Sequence, residues 1–230
     1  MRYAIYYSPH EESLLHQLGA SWLGYDAYKG KPTEQPGNGL LNAKTDAASL
    51  YGFHATLKPP FFLKPDANAV VLTAAVAELT HHLKPTTIDR LVLKSIDGFL
   101  ALVPENQSSE IDFLAACCVS ELDHYREEPS DAELIRRRSE NLSARQHRYL
   151  TEWGYPYVFE EFKFHMTLTR RLEATEHDAV FDLANNYFAD VIDRPLDIEA
   201  LTIFTQADPH SHFKIENQFM LVGKELVTSK

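Results

Sequence analysis

The chain has 230 residues, of which 44% are hydrophobic and 24% charged, with a formal net charge of −11 at pH 7. This is the composition of an ordinary globular protein, and its acidic balance argues against a long nucleic acid as partner, because such binding requires the neutralisation of many phosphates. No apolar run reaches the roughly 18 residues of a membrane span, so we expect no membrane partner.

The first half of the chain alternates strand-like and helix-like patterns. It opens on a strand rather than a secretory signal, which predicts a cytoplasmic protein. A loop rich in glycine and proline is long enough to be functional, and we expect it to be a lid. The predicted order is a strand at 2–8, a helix at 11–23, this loop at 24–49, a strand ended by Pro59-Pro60, a helix at 67–83 capped by Asp66, and a hairpin of strands at 87–93 and 99–103.

The second half repeats this order, with a helix at 109–126, a polar helix opened by a capping box at 130–133, a short strand, a helix at 175–189, and strands at 197–205 and 213–222. We therefore predict an α+β fold: a duplicated bilobal fold with two antiparallel sheets flanked by helices around a central cleft, with pseudo-twofold symmetry. Residues 1–230 would form one domain, with a first lobe at about 1–98 and a second at about 99–230.

One pentapeptide occurs in both halves. Phe53-His54-Ala55-Thr56-Leu57 and Phe164-His165-Met166-Thr167-Leu168 share the pattern Phe-His-x-Thr-Leu. One His-x-Thr-Leu is expected by chance about 0.08 times in a chain of this composition. Side chains two apart on a strand share a face, so each motif presents a histidine and a threonine together.

Two such strands facing one cleft predict acid–base catalysis. Histidine titrates near neutrality, so His54 and His165 can serve as a base and an acid. Thr56 and Thr167 can donate hydrogen bonds to phosphate oxygens and hold the phosphorus between the two rings. This catalytic set predicts hydrolysis of a phosphoester, with neither a metal nor another cofactor, on a small anionic substrate.

The paired motifs resemble those of the 2H phosphoesterase superfamily. The resemblance covers essentially the whole chain and is closest to a branch encoded beside bacterial phosphonate-degradation genes, on the segments 22–26, 51–61, 99–102 and 153–157. It implies metal-independent action on cyclic phosphodiesters or 2′-linked phosphoesters, and the gene neighbourhood suggests a ribose cyclic phosphate. We therefore expect a metal-independent phosphodiesterase that opens a cyclic phosphate of a ribose or nucleotide, in phosphonate metabolism. It also implies that His54 and His165 are the acid–base pair and that Thr56 and Thr167 bind the phosphate, without saying which histidine is the acid.

Several further residues are predicted to bind the substrate. Strand parity brings Lys58 to the face of His54, and Lys163 and Thr169 to the face of His165. The alternative for Lys58 is a solvated strand end. Arg126 belongs to an arginine-rich insert with Arg136, Arg137, Arg138, Arg145 and Arg148, whose members either reach the cleft or form a solvated helix face. Tyr7, Tyr51, Tyr155 and Tyr157 either line the pocket or pack in the core.

Two other readings stay open. A non-catalytic module that binds a nucleotide or an RNA end would use the same cleft without turnover. A metal phosphohydrolase would use His81-His82 or His210-Ser211-His212, although neither pair has a ligand set at the expected spacing. We expect the protein to be a monomer.

Overall fold

A seven-stranded antiparallel sheet is the centre of the structure, a computed structural model that describes residues 1–129 and 142–223. Its strand order is β11-β10-β1-β4-β8-β7-β6, and two short pairs, β2-β3 and β5-β9, accompany it. The strands are β1 (Arg2–Tyr7), β2 (Tyr25–Asp26), β3 (Lys31–Pro32), β4 (Ala55–Phe61), β5 (Thr86–Ile88), β6 (Leu91–Ile96), β7 (Phe99–Pro104), β8 (Met166–Thr167), β9 (Leu196–Ile198), β10 (Ala200–Gln206) and β11 (Lys214–Met220).

Four of the six α-helices in the described chain pack against one face of this sheet. The six are α1 (Leu14–Leu23), α2 (Asp46–Ser49), α3 (Ala69–His82), α4 (Ser109–Leu122), α5 (Ala144–Trp153) and α6 (Ala174–Tyr187). One large apolar cluster joins α1, α3, α4 and α6 to alternate residues of the strands, among them Ile5, Leu102, Met166 and Ile203. Because side chains alternate across a strand, the residues between these face the other side of the sheet. The fold is therefore of the predicted mixed class, with helices and antiparallel strands.

The expectation of two separate sheets is corrected in one respect. The strands of both halves join into a single sheet, because β4 and β8 pair through Ala55 and Met166. The contact is this one residue pair, so the two strands adjoin at the middle residues of the two motifs. The halves also exchange strands, since β6 pairs with β7 and β10 pairs with β1.

Several turns and caps follow from local chemistry. Asp97 and Gly98 both have positive φ, at 46° and 89°, as a two-residue hairpin turn requires. The side chain of Ser13 caps α1 by accepting from the His16 backbone N–H. For α3 the cap is Asn68, which accepts from the backbone N–H of Val71, so the predicted cap at Asp66 is wrong by two residues.

The predicted loop at 24–49 is anchored along its length. Leu41 is fully buried in the main core, and the Gln35 amide donates to the Trp22 carbonyl and to the Thr45 hydroxyl. The segment ends in the short helix α2, which runs directly up to the first motif. Its role as a lid stays a prediction. In the part of the chain that the structure describes, no helix is long and apolar enough to cross a membrane.

Candidate active site

The two motif strands lie side by side at the centre of the sheet. Ala55 and Met166, the middle residues of the motifs, form the pair that joins β4 to β8, and both are fully buried. Since neighbours along a strand point to opposite faces, the flanking motif residues share the face that the helices leave uncovered. The antiparallel register sets each histidine across from the threonine of the other motif, where side chains are about 5 Å apart at Cβ. The members of this set are His54, Thr56, His165 and Thr167, all half-buried.

His54 is fixed by three neighbours. Its Nδ1 lies 2.9 Å from the carbonyl oxygen of Gly52, and its Nε2 lies 3.2 Å from Oγ1 of Thr56. A carbonyl only accepts, so Nδ1 carries the proton and Nε2 of the neutral ring is left as the acceptor. The ring of Tyr6 stacks on the imidazole at a centroid distance of 3.8 Å. Gly52 has a φ of 74°, in the left-handed region that favours glycine, and this turn aims its carbonyl back at the ring.

His165 is held in the same way. Its Nδ1 lies 2.8 Å from the carbonyl oxygen of Lys163, two residues back along the chain, as Gly52 is from His54. Nε2 is thus again the nitrogen that is left for chemistry. The ring of Phe99 lies 6.0 Å away between centroids. Both motifs therefore lock the same tautomer by the same local contact.

The surroundings change the acidity of His54. Burial lowers the pKa of its imidazole to about 4, the Gly52 carbonyl opposes this shift, and the nearby His165 lowers the pKa further. A ring with this pKa is neutral at pH 7, because the charged form is costly where water is excluded. The neutral ring keeps a lone pair on Nε2, as a general base requires.

A cavity of about 450 Å³ opens over this face, and three of the four motif residues, His54, Thr56 and Thr167, line it. Its described lining contains no Asp, Glu or Lys, and Arg2 is its one arginine. The lining residues are Arg2, Tyr6, Ala47, Ala48, Tyr51, Gly52, His54, Thr56, Pro59, Pro60, Tyr155, Pro156, Tyr157, Thr167 and Thr169. In a chain of net charge −11, such a lining favours an anionic ligand.

Four of the residues considered for substrate binding lie at this cavity: Tyr51, Tyr155, Tyr157 and Thr169. The ring of Tyr51 stacks on Phe213 at 5.3 Å between centroids. Tyr157 is 42% exposed, so its ring is accessible to a ligand. The Thr169 hydroxyl accepts from the backbone N–H of Leu100 at 3.0 Å, which ties β7 to the end of the second motif.

Lys58 and Tyr7 lie on the other face, against the prediction. In the pairing of β4 with β1, Tyr6 lies opposite Thr56 but Ile5 lies opposite Lys58. This register shift is a β-bulge, which inserts one residue and reverses the facing of those that follow. Lys58 thus joins the helix-covered side, where its ammonium donates to Asp123 at 2.9 Å and is only 2% exposed. The strand also continues through Pro59-Pro60 to Phe61, so the predicted end at Pro59-Pro60 is wrong.

Tyr7 is buried on the same helix-covered side. Its register partner on β4 is Ala55, its ring packs near Phe164 at 5.9 Å between centroids, and its hydroxyl donates to the Asp197 carbonyl at 3.3 Å. Of the two alternatives for this tyrosine, the structure shows packing in the core.

Arg126 and Lys163 have other contacts. The Arg126 guanidinium binds both oxygens of Asp123, at 2.8 and 2.9 Å, and donates to the Glu152 carbonyl at 3.1 Å. Lys163 is exposed and contributes its carbonyl to His165. The capping box at 130–133 and Arg136, Arg137 and Arg138 lie outside the described residues. Arg145 is 3.7 Å from Glu161, and Arg148 lies over the ring of Tyr149.

Two long polar side chains of the cavity, Arg2 and Tyr6, are not among the predicted site residues. Both are on β1, four residues apart, so the alternation of that strand puts them on one face. The alternation along β1 indicates that the two residues share a face, but only the pairing of Tyr6 with Thr56 shows that this face adjoins the motif.

The extra histidines considered as metal ligands lie elsewhere. His81 and His82 are both within 3.6 Å of the carboxylate of Glu78, and His212 packs on the ring of Tyr25 at 4.3 Å. Within residues 1–129 and 142–223, no three His, Cys, Asp or Glu side chains are grouped so that they would hold a metal ion.

Comparison with known proteins gives the following relatives. The chain is 38% identical over 221 residues to the ribose 1,5-bisphosphate phosphokinase PhnN of Janthinobacterium sp. (strain Marseille), covering 92% of this chain and 49% of that protein. It is 33% identical over 218 residues to the protein of the same name from Laribacter hongkongensis (strain HLHK9), covering 94% and 50%. The chain therefore spans about half the length of the curated relatives it matches.

A solved structure of E. coli LigT complexed with 3′-AMP aligns with a TM-score of 0.46 and 13% identity, over 96% of this chain and 97% of that one. Residues 56–214 match a family described as a protein of unknown function, DUF1045. Since this match covers more than half of the sequence, the chain belongs to the DUF1045 family.

Proposed function

We propose that this chain is a phosphodiesterase that opens a cyclic phosphate by general acid–base catalysis with two histidines. One observation carries the proposal: two His-x-Thr motifs on adjoining strands, β4 and β8, each with Nδ1 fixed by the carbonyl two residues back. The resemblance to 2H phosphoesterases assigns the same four residues to catalysis. An ordinary buried strand pair needs neither two titratable rings nor a matched tautomer in both.

In the proposed reaction, His54 is the base and His165 the acid. Water attacks the phosphorus while Nε2 of neutral His54 takes one of its protons. The new P–O bond forms as the ring P–O bond breaks, and Nε2 of protonated His165 gives its proton to the leaving oxygen. The product is a phosphomonoester with a free hydroxyl, and the two histidines have exchanged protonation states. Proton exchange with water restores them.

The threonines position the phosphate in this proposal. The Thr56 hydroxyl, which lies 3.2 Å from Nε2 of His54, turns to a non-bridging oxygen when the substrate binds, and Thr167 does the same from the neighbouring strand. Donors aimed at an oxygen that gains negative charge stabilise the transition state. Because base, acid and donors are all side chains, the proposed reaction requires no metal.

For the substrate we propose a ribose or nucleotide cyclic phosphate, within phosphonate catabolism. The resemblance to the branch encoded beside phosphonate-degradation genes supports this, as does the name of the relatives, which concerns a phosphorylated ribose. The kinase activity in that name we assign to the half of the relatives that this chain does not match. In support, a phosphate-binding P-loop requires a Gly-Lys pair followed by Ser or Thr, and this sequence contains none.

We also propose that the two halves arose by duplication, with lobes meeting near residues 98 and 99. The strand order supports this. Reading outwards from the centre, β4 and β8 are followed by β1 and β7, and then by β10 and β6. Each pair occupies the same place in its half of the chain, β10 and β6 are exchanged between the halves, and β11 lies beyond β10.

The test is hydrolysis of a panel of ribose and nucleoside cyclic phosphates in EDTA, with phosphorus NMR to identify the product isomer. His54→Ala and His165→Ala should each lower kcat/KM by at least about 100-fold. His177→Ala, which removes a histidine on α6 from the helical side, is the matched control and should keep wild-type turnover. Turnover that survives both motif substitutions would contradict the proposal.

The same assays separate the alternatives. A non-catalytic binding module would bind nucleotides tightly and release no product, and a metal phosphohydrolase would lose its activity in EDTA. Thr56→Ala and Thr167→Ala are expected to lower kcat more than they raise KM, because their hydrogen bonds strengthen on the transition state.

A further inference from the structure

Arg2 is the one cationic side chain in the described lining of the cavity. Its Nε lies 2.7 Å from Oε1 of Gln206, and its Nη2 contacts the same oxygen. The guanidinium also lies over the ring of Phe213, 5.4 Å from its centroid. Gln206 is neutral, so both contacts orient the arginine without cancelling its charge. An oriented guanidinium whose charge is not neutralised is the usual protein group for a phosphate.

The position of Arg2 relates it to the catalytic pair. Arg2 and Tyr6 are on the same face of β1, and Tyr6 both pairs with Thr56 and stacks on His54. Four residues along a strand correspond to about 13 Å between the backbones of Arg2 and Tyr6. The length of the arginine side chain shortens the distance from its guanidinium to the histidine. The interval is wide enough for a sugar between two anionic groups. It is flanked by aromatic rings, since Tyr51, stacked on Phe213, and Tyr157 line the same cavity.

We propose that Arg2 is a specificity residue that binds a second phosphoryl group, so that the preferred substrate is a sugar cyclic phosphate carrying a separate phosphomonoester. This inference rests on the proposed function for the reaction at the other end of the cavity. The cyclic phosphate lies at the two histidines and the sugar lies along the tyrosines. The terminal phosphate meets the guanidinium, whose remaining N–H groups point away from Gln206.

Gln206 has a positioning role in this proposal. Its amide donates to the Ser211 carbonyl at 2.8 Å, which fixes the oxygen that holds Arg2. Gln206 is 1% exposed. A carboxylate at this position would still accept from the arginine, but it would neutralise the charge of Arg2 and could not donate to the Ser211 carbonyl. Gln206→Glu therefore keeps the acceptor for Arg2 and removes the proposed attraction for phosphate.

The experiment compares a ribose cyclic phosphate with and without a 5-phosphate, in the wild type and in Arg2→Gln, Gln206→Glu and Arg145→Gln. The wild type should prefer the 5-phosphorylated compound by at least about 10-fold in kcat/KM, because a hydrogen-bonded charge pair contributes about that much. Arg2→Gln and Gln206→Glu should reduce this ratio to about 1. Arg145→Gln removes an exposed arginine on α5 and should keep the wild-type ratio.

Two results would overturn the proposal while leaving the phosphodiesterase intact: equal turnover of the two compounds by the wild type, or an equal loss on both compounds in Arg2→Gln, which would show a structural role only. If neither compound is hydrolysed, the proposed function fails, and calorimetry with ribose 5-phosphate decides on Arg2 separately. Binding that weakens in Arg2→Gln and persists in His54→Ala supports the subsite, and an absence of binding by the wild type overturns it.

Discussion

Replacing Lys58 by methionine tests whether this lysine holds the fold or holds a phosphate. Its ammonium is 2% exposed, lies 2.9 Å from Oδ1 of Asp123 and 3.3 Å from the Val119 carbonyl, and sits on the helix side of the sheet. Burial lowers the pKa of this lysine, while Asp123 raises it. The structure therefore predicts a loss of stability in Lys58→Met with no change at the cavity.

The size of that loss of stability depends on the partners that Asp123 keeps when Lys58 is replaced. Breaking a buried ion pair by removing one partner costs about 3–5 kcal/mol when the other charge is left uncompensated. Asp123 keeps Arg126, which binds both of its oxygens, so we expect only about 1–3 kcal/mol for Lys58→Met. Asp123→Ala leaves both Lys58 and Arg126 without their carboxylate and should cost about 3–5 kcal/mol. Because the two residues are in contact, the double variant should cost less than the sum of the two.

Urea unfolding followed by circular dichroism measures these differences. Lys94→Met makes the same chemical change at an exposed lysine of β6 and should change the free energy of unfolding by less than about 0.5 kcal/mol. The reasoning fails if Lys58→Met unfolds at the wild-type midpoint but binds or hydrolyses phosphoesters poorly. That result would return Lys58 to the phosphate-binding role that strand parity predicts.

Three further predictions concern the site and its supports. Since base catalysis needs neutral His54, whose pKa is about 4, kcat/KM should fall as the pH drops through about 4, and an acid limb near 6.5 in the pH–rate profile would contradict this. Because the folded pKa lies below the unfolded value of 6.5, His54 also favours unfolding as pH falls from 6.5 towards 4, which urea midpoints across that window measure. Gly19→Ala would place a Cβ 2.2 Å from the ring of Phe53, so we expect a loss of about 1–3 kcal/mol by overpacking, and an unchanged melting temperature would be inconsistent with that contact. Trp22→Phe removes the indole donor to the Leu168 carbonyl at 2.9 Å and should cost about 1–3 kcal/mol in urea unfolding, whereas a cost near zero would mean that the bond does not hold the second motif.

The sequence predicts most where local pattern and structure depend on the same residues. The hairpin at Asp97-Gly98 and the helices α1, α3, α4 and α6 follow from turn chemistry and apolar spacing alone. The repeated motif predicts that His54 and His165 act together, because packing alone does not require the same polar pattern on two strands. None of this depends on knowing which strands are neighbours.

What the sequence could not show depends on pairing across the sheet. The reversal of Lys58 comes from a bulge between β1 and β4, and a bulge is set by the partner strand rather than by the residues of β4. The place of Arg2 in the cavity likewise depends on which face of β1 adjoins Thr56. The union of the strands into one sheet rests on a single bridging pair, Ala55 with Met166, which neither half of the chain encodes by itself.

The exchange of strands between the halves has a consequence for how the chain folds. β1 lies between β4 and β10, so a strand that begins at Arg2 acquires one of its two neighbours only from residues 200–206. Contacts of such sequence separation slow folding, because the loop entropy is lost before the pairing stabilises the chain. During synthesis, the Arg2 guanidinium meets Gln206 only after nearly the whole described chain has left the ribosome. We therefore expect the Arg2 end of the cavity to form after the histidine end, which needs only β1, β4 and β8.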